Sequence, residues 1–267
     1  MAVQKVTATV ITRNESANIA AALSSVRWAD EIIVIDSEST DDTVEIARRH
    51  ADRVMVRPWP GYAAQKNFAA GQATHDWIFS LDADERVTPA LADEIGALLR
   101  TGPAAAGYRI PRVTFHCGRW IRSTDWYPDH QLRLYDRRRA LWTGRHVHES
   151  VRADGPVTKL RGEIQHYAYR DIAHHLQTMD HYTTLAARQM YEDGRRVRWI
   201  DLLITPRLTF FRNYILRGGF RDGMAGLVVS AMNGYYVGLK FAKLWELCSH
   251  STSTPPAPGA ADRTKSS

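Results

Sequence analysis

The sequence predicts an α/β fold: a mostly parallel twisted sheet with helices on both faces, followed by a helical C-terminal region. Three observations predict it. Over the first hundred residues, short apolar runs alternate with helix-period segments across short links, the pattern of a parallel sheet covered on both faces. Polar or acidic residues follow each run, where open α/β sheets place their ligands. From Asp171 onward the apolar spacing turns helical.

Val6 to Ile11 reads as the first strand, and Asn18 to Val26, rich in alanine, as a helix. Glu31 to Ile35 is a short apolar strand ending at Asp36-Ser37. Asp41 and Asp42 cap a helix reaching about His50, with Arg48 and Arg49 at its end to suit the helix dipole. Val54 to Val56 is the third strand, Tyr62 to Gly71 a helix, and Asp76 to Leu81 the fourth strand. Thr88-Pro89 opens the next helix with proline in its first turn, and Gly102-Pro103 closes it. Tyr108 to Phe115 is a strand that Pro111 assigns to an edge or a bulge. Gln131 to Tyr135 alternates as a strand, and Leu160 to His166 reads as another. Trp120, Trp126, Tyr127 and Trp142 lie between. They suit either sugar stacking or core packing.

Asp171 caps a helix through about Glu192, ended by Gly194. Pro206 starts another through Arg217, which Gly218-Gly219 breaks, and Asp222 to Leu247 is largely apolar and helical. Its apolar core falls short of the roughly 18–20 clean residues of a spanning helix. Arg207, Arg212, Arg217 and Arg221 interleave with Phe210, Phe211, Tyr214 and Phe220, a pattern that suits a membrane surface or a packed helical pair. The expected division is a catalytic domain over 1–170, a helical appendage over 171–248 and a disordered Ser/Thr/Pro/Ala-rich tail over 249–267.

Of 267 residues, 44% are hydrophobic and 24% charged, a globular balance. Cys117 and Cys248 offer neither a disulfide framework nor a zinc spacing, which suits a reducing cytosol. No basic-then-apolar leader precedes the first strand, so no secretion signal is expected. The net charge of +6 and a pI near 9.4 favour anionic partners.

The chemistry is concentrated at the strand tips. Trp77-Ile78-Phe79-Ser80-Leu81 runs into Asp82-Ala83-Asp84-Glu85. Carboxylates clustered there repel one another unless a cation joins them, and Mg²⁺ or Mn²⁺ suits such oxygens while keeping positions open for substrate phosphates. Thr12-Arg13-Asn14-Glu15, Asp36-Ser37-Glu38-Ser39 and Pro58 to Lys66 follow the first three strands. In a doubly wound sheet all four loops meet in one crevice. An acid after the second strand can bond a ribose hydroxyl or base edge, and Lys66, with Gln65 or Asn67, can meet a phosphate. No Gly-X-Gly-X-X-Gly follows the first strand and no Gly-Lys-Ser/Thr loop occurs, which disfavours dinucleotide oxidoreduction and P-loop chemistry.

Together, Val10 to Glu15, Ile33 to Thr43, Gln65-Lys66-Asn67 and Leu81 to Glu85 resemble the family 2 inverting glycosyltransferases with the A-type nucleotide-sugar fold. Trp126 to Asp129, Gln131 to Leu134, His148-Glu149 and the Tyr214 to Gly226 region resemble the bacterial lipopolysaccharide core glucosyltransferase branch. The resemblance implies transfer of glucose from UDP-glucose to inner-core heptose, in the cytoplasm at the inner-membrane face. It implies a base pocket of Thr12, Asn14 and Glu15, with Asp36 on uracil or ribose and Lys66 near the nucleotide. Asp82 would face the ribose or a metal-bound water, and Asp84 would bind the metal.

Inversion needs a general base opposite the leaving group. Many relatives place a Glu-Asp pair in the acceptor half, which this chain lacks before Glu192-Asp193. Asp129 is the first choice, Glu149 the second and Asp125 the third. Arg133 can contact a diphosphate or acceptor phosphate or be a paired strand residue. His148 and His166 can assist the metal or be structural. Two alternatives remain: a nucleotidyltransferase making a nucleotide-sugar, although the first loop lacks its glycines, and a basic adaptor for anionic lipid or nucleic acid. The positive residues are scattered without a nucleic-acid motif, so no nucleic-acid partner is expected. The oligomeric state is left open.

Overall fold

The computed structural model describes residues 3–144 and 149–250. The first half runs β1 (Val6–Thr12), α1 (Ile19–Ser25), β2 (Glu31–Asp36), α2 (Thr43–Arg48), β3 (Arg53–Val56), α3 (Tyr62–Gln72), β4 (Trp77–Asp82), β5 (Glu85–Val87) and α4 (Pro89–Thr101). Next come β6 (Gly107–His116), β7 (Arg119–Ile121), β8 (Asp129–Asp136), β9 (Ala140–Thr143), β10 (Ser150–Ala153), β11 (Val157–Lys159) and β12 (Ile164–His166). The chain then turns helical in α5 (Ile172–Glu192), α6 (Trp199–Leu203), α7 (Thr205–Phe211) and α8 (Gly223–His250). The tail expected beyond α8, and His148, lie outside the described residues.

The α/β class holds. The main sheet has the order β3-β2-β1-β4-β8-β6-β12-β5, with β7 and β11 added on β6. Its first four strands are parallel, and β8 enters antiparallel to both β4 and β6. Every residue of β1 and β2 is buried because both faces are covered. The alternation is real but internal. Val6, Ala8 and Val10 face one core with Leu23, Phe79, Leu91 and Ile95, while Ile11, Ile33, Ile35 and Ile78 face a second under α3.

Two expectations change. Pro111 is not at an edge: β6 has β8 on one side, and the bulge falls at Tyr108/Arg109. On its other side β11 pairs residues Gly107 to Arg109 and β12 pairs Arg112 to Thr114, so Pro111 sits in the gap where no donor is needed. β8 does not alternate in exposure; Leu132 through Asp136 are all buried, since it lies mid-sheet.

Asp171 caps α5 as expected, accepting from the His174 backbone N–H at 2.7 Å. Gly218, at φ 71°, takes the left-handed conformation that ends the turn after α7. Glycine also sets helix spacing: a Cβ on Gly226 would stand 1.9 Å from the Gly219 carbonyl oxygen. No described helix is long and apolar enough to cross a membrane.

Two buried polar groups fasten this framework. Glu85 has no exposed surface and binds two arginines from neighbouring strands, Arg112 at 3.0 Å and Arg133 at 2.6 Å. At the other end of β6, His116 Nε2 lies 3.2 Å from His175 Nδ1 on α5, and Tyr169 stacks on His175 with centroids 4.0 Å apart. Burial, with His116 and His174 nearby, lowers the His175 imidazole to about 4.

Two outcomes follow. Glu85→Gln leaves the buried Arg133 and the partly buried Arg112 short of countercharge and should cost about 3–5 kcal/mol in denaturant unfolding; an unchanged midpoint would contradict the clamp. A depressed histidine stabilises the fold fully above its unfolded value of about 6.5 and loses that contribution as pH falls towards about 4. Stability measured by denaturation should therefore decline across that window, and His175→Phe should flatten the decline.

Candidate active site

The strand tips converge. Thr12 at the end of β1 and Glu15 after it, Asp82 and Asp84 around the end of β4, His166 on β12 and Glu149 before β10 all line one cavity of about 1130 Å³. Trp59 and Tyr62, leading into α3, form part of its wall, packed edge to face at 4.7 Å between centroids. The helical region closes another side with His181, Tyr182 and Leu185 of α5 and Tyr236 of α8.

The turn from β4 into β5 organises the acids. The Asp82 backbone N–H donates to Glu85 Oε2 at 3.0 Å, which tightens Asp82-Ala83-Asp84 into a corner. The Asp82 carboxylate is held at both oxygens, by Lys66 Nζ at 3.0 Å and Arg133 Nη2 at 2.7 Å. Burial alone would raise its pKa, but Arg133 and Lys66 hold it well below the usual carboxylate range. Lys66 also lies 3.9 Å from Glu149 Oε1 and 4.3 Å from the Trp142 ring centroid. Glu149 Oε2 is buried with no hydrogen-bond partner among the described residues.

Asp84 stands apart from that lattice. The pairing of β5 with β12 sets Glu85 opposite His166, and this brings His166 Nε2 to 3.2 Å from Asp84 Oδ2. Burial works against its ionised form, yet the His166 imidazole holds the Asp84 carboxyl below its ordinary value. Glu15 behaves oppositely: burial raises it, with Asn18 donating a partly offsetting hydrogen bond. Among the described residues no three His, Cys, Asp or Glu side chains gather into a complete metal site. The Asp84 carboxylate, oriented by His166 at 3.2 Å, is the kind of oxygen donor that suits a hard divalent ion bound by one or two carboxylates with phosphate and water in its other positions.

Several predicted residues sit behind the cavity. Lys66 and Arg133 are nearly fully buried and reach it through Asp82, Lys66 also through Glu149. Asp36 accepts from the Ser39 N–H at 2.8 Å, and Ser39 Oγ accepts from the Asn14 N–H at 2.8 Å. Asn14, in the left-handed region at φ 53°, accepts in turn from the Thr40 N–H at 2.8 Å. Asp36 and Asn14 thus tie the first two loops together. Asp129 accepts from Arg112 at 2.6 and 3.0 Å and from Gln131 at 2.6 Å. Asp125 is paired with Arg212 and Arg217 and accepts from Asn213. Neither lines the cavity.

Of the two roles open to Trp120, Trp126, Tyr127 and Trp142, the structure shows packing for all four and places none on the cavity. Trp142 is buried beneath Lys66, Trp126 packs on His116, and Tyr127 donates to Glu163 at 2.6 Å. Trp120 packs on Phe115 and Tyr167. The cavity aromatics are Trp59, Tyr62, Tyr182 and Tyr236. The Pro58 to Lys66 loop pointed to the first two; α5 and α8 carry no local signal for the others. Arg112, which bridges Glu85 to Asp129 and borders the cavity, was also missed.

The profile described as Glycosyl transferase family 2 matches residues 7–153. Lipopolysaccharide core biosynthesis glycosyltransferase LpsC of Rhizobium meliloti is 31% identical over 244 residues, covering 89% of this chain and 90% of that protein. An uncharacterized glycosyltransferase of Rickettsia typhi is 31% identical over 257 residues, covering 91% of this chain and 88% of its own. Among solved structures, S. aureus TarS is similar with a TM-score of 0.47 and 12% identity over 93% of this chain and 92% of that one. The matched span contains all four strand-tip loops and Glu149, and it decides among the activities the sequence leaves open: the chain belongs to glycosyl transferase family 2 and is a glycosyltransferase.

Proposed function

We propose that the cavity binds a UDP-sugar, with UDP-glucose the first donor to test. The enzyme passes the sugar with inversion to a hydroxyl of a lipopolysaccharide inner-core heptose or related glycolipid. The observation that carries this reading is the meeting of Thr12, Glu15, Asp82, Asp84, His166 and Glu149 on one cavity. The name of the Rhizobium meliloti relative supports the acceptor class.

Thr12 Oγ1 is buried and has no hydrogen-bond partner among the described residues. A nucleoside would supply that partner, while Asp36 and Asn14 hold the loop that receives it. Asp84, with His166 beside it, would hold Mg²⁺ or Mn²⁺. The ion's contribution when bound is to offset the charge of the diphosphate. Asp82, fixed by Lys66 and Arg133, faces the donor as a rigid acceptor of sugar or ribose hydroxyls. Trp59, Tyr62, Tyr182 and Tyr236 offer ring faces and edges to the base and sugars.

The transfer itself needs one proton moved. The acceptor oxygen bonds to the sugar C1 from the side opposite UDP, and the C1–oxygen bond to the diphosphate breaks with its electron pair leaving on UDP. The acceptor proton passes to a carboxylate. Asp129 and Asp125 are occupied by arginines outside the cavity, which supports Glu149 in this role. Its Oε2, without a hydrogen-bond partner among the described residues, accepts the proton while Lys66 steadies Oε1.

Asp84→Ala should abolish divalent-ion-dependent transfer while thermal unfolding stays cooperative. Unchanged turnover at saturating Mn²⁺ would remove the metal assignment. Glu149→Gln should leave UDP-glucose binding nearly intact and slow transfer by about 10²–10⁴-fold, the scale of lost acid-base help. Normal transfer by that variant would return the role to Asp129.

A further inference from the structure

The hairpin of α6 and α7 carries a chemistry the cavity does not use. α7 and the π-helical turn after it (Arg212–Leu216) have two unlike faces. The inner face packs on α8 at glycine distance: a Cβ on Gly234 would stand 2.9 Å from the Pro206 carbonyl oxygen and 3.5 Å from Phe210 Cβ. Asn213, fully buried, accepts from Asn233 Nδ2 at 3.0 Å on the same side. These contacts fix which way the other face must point.

That outer face is apolar, and no described residue covers it. Ile204, Leu208, Phe211 and Ile215 recur at the i, i+4, i+7, i+11 spacing of one helical stripe. All four are exposed, Leu208 at 60% and Phe211 at 51%. Leu216, at 70%, Phe220 and Met224 follow, also exposed. A water-facing surface rarely gathers so many large apolar side chains unless something covers them.

The charges select the cover. From Leu202 to Arg221 there is no Asp or Glu, while Arg207, Arg212, Arg217 and Arg221 punctuate the stripe. Arg212 and Arg217 are more than half exposed even while paired with Asp125. Among the described residues Arg207 donates only to the Leu203 carbonyl, and Arg221 lies beside the Phe220 ring. Apolar side chains at the acyl boundary with guanidiniums at phosphate level match a bilayer rich in anionic headgroups. With no described helix fit to span a membrane, such attachment is peripheral. We propose that the outer face of α7 and its following turn docks the enzyme onto an anionic phospholipid surface. This inference does not depend on the donor or on Glu149.

The test is flotation of the full-length protein with vesicles of phosphatidylcholine plus phosphatidylglycerol, beside vesicles of phosphatidylcholine alone. The wild type should bind the anionic vesicles, and bind less as salt rises. The double variant Leu208→Asp/Phe211→Asp should weaken binding by about tenfold or more. Arg207→Gln and Arg221→Gln should each weaken it by about fivefold. If the double variant does not fold, Leu216→Asp replaces it at a more exposed position. Thermal stabilisation by UDP-glucose is read on each variant, so a lost donor site is not mistaken for lost docking. Wild type that ignores anionic vesicles, or a folded double variant that binds them equally, would overturn the proposal. So would a wild-type dimer in sedimentation that the double variant dissolves, which would assign the face to a second copy of the chain.

Discussion

Glu85 is a carboxylate with no contact with water, and the geometry of the site depends on it. One oxygen draws Arg112 from β6 and Arg133 from β8, and the other accepts the backbone N–H of Asp82. Buried ions are tolerated only when their partners are well placed, and removing one strands the rest. The constraint therefore propagates. Arg133 fixes Asp82, Asp82 fixes Lys66, and Lys66 reaches Glu149. A chain of charges runs from the middle of the sheet to the cavity surface. Such a lattice keeps polar side chains in place before any ligand arrives, the condition under which fixed dipoles and charges favour a reaction.

The same lattice separates two kinds of acid. Asp82 and Asp129 each have an arginine within 2.7 Å, whereas Asp84 has only His166 beside it among the described residues and Glu149 lies no closer than 3.9 Å to Lys66. Residues only two apart, Asp82 and Asp84, thus differ in role because one belongs to the strand and the other to the turn after it. Asp84 owes its histidine partner to a three-residue strand, β5, whose antiparallel pairing with β12 closes the sheet at that edge.

What could be read in the sequence follows from range. Signals carried by neighbouring residues held: the apolar-rich strands β1, β2 and β4, proline in the first turn of α4, the Asp171 cap and the break at Gly218. Topology brought the first, third and fourth loops to one cavity, whereas the second, Asp36 to Ser39, braces the first loop from behind. What failed needed distant partners. Asp129 stands in a conspicuous Trp-Tyr-Pro-Asp run, but Arg112 on the adjacent strand takes it. Glu85 looked like the end of an acidic turn, and only β6 and β8 show it to be core. Pro111 looked like an edge residue because the gap between β11 and β12 leaves no local trace. Tyr182 and Tyr236 reach the cavity through the packing of α5 and α8, which residue spacing does not encode. The helical region is therefore part of the site's wall as well as a neighbour to it.

If the strand-tip residues form one crevice that gathers a divalent ion and a nucleotide, Mn²⁺ added with UDP should broaden amide and imidazole resonances of the assigned protein in one place. Broadening should centre on Asp84 and His166, extend to Thr12 and Glu15 and leave Asp125 and Asn213 sharp. Broadening centred elsewhere, or none with UDP bound, would show that the strand tips do not bring ion and nucleotide together.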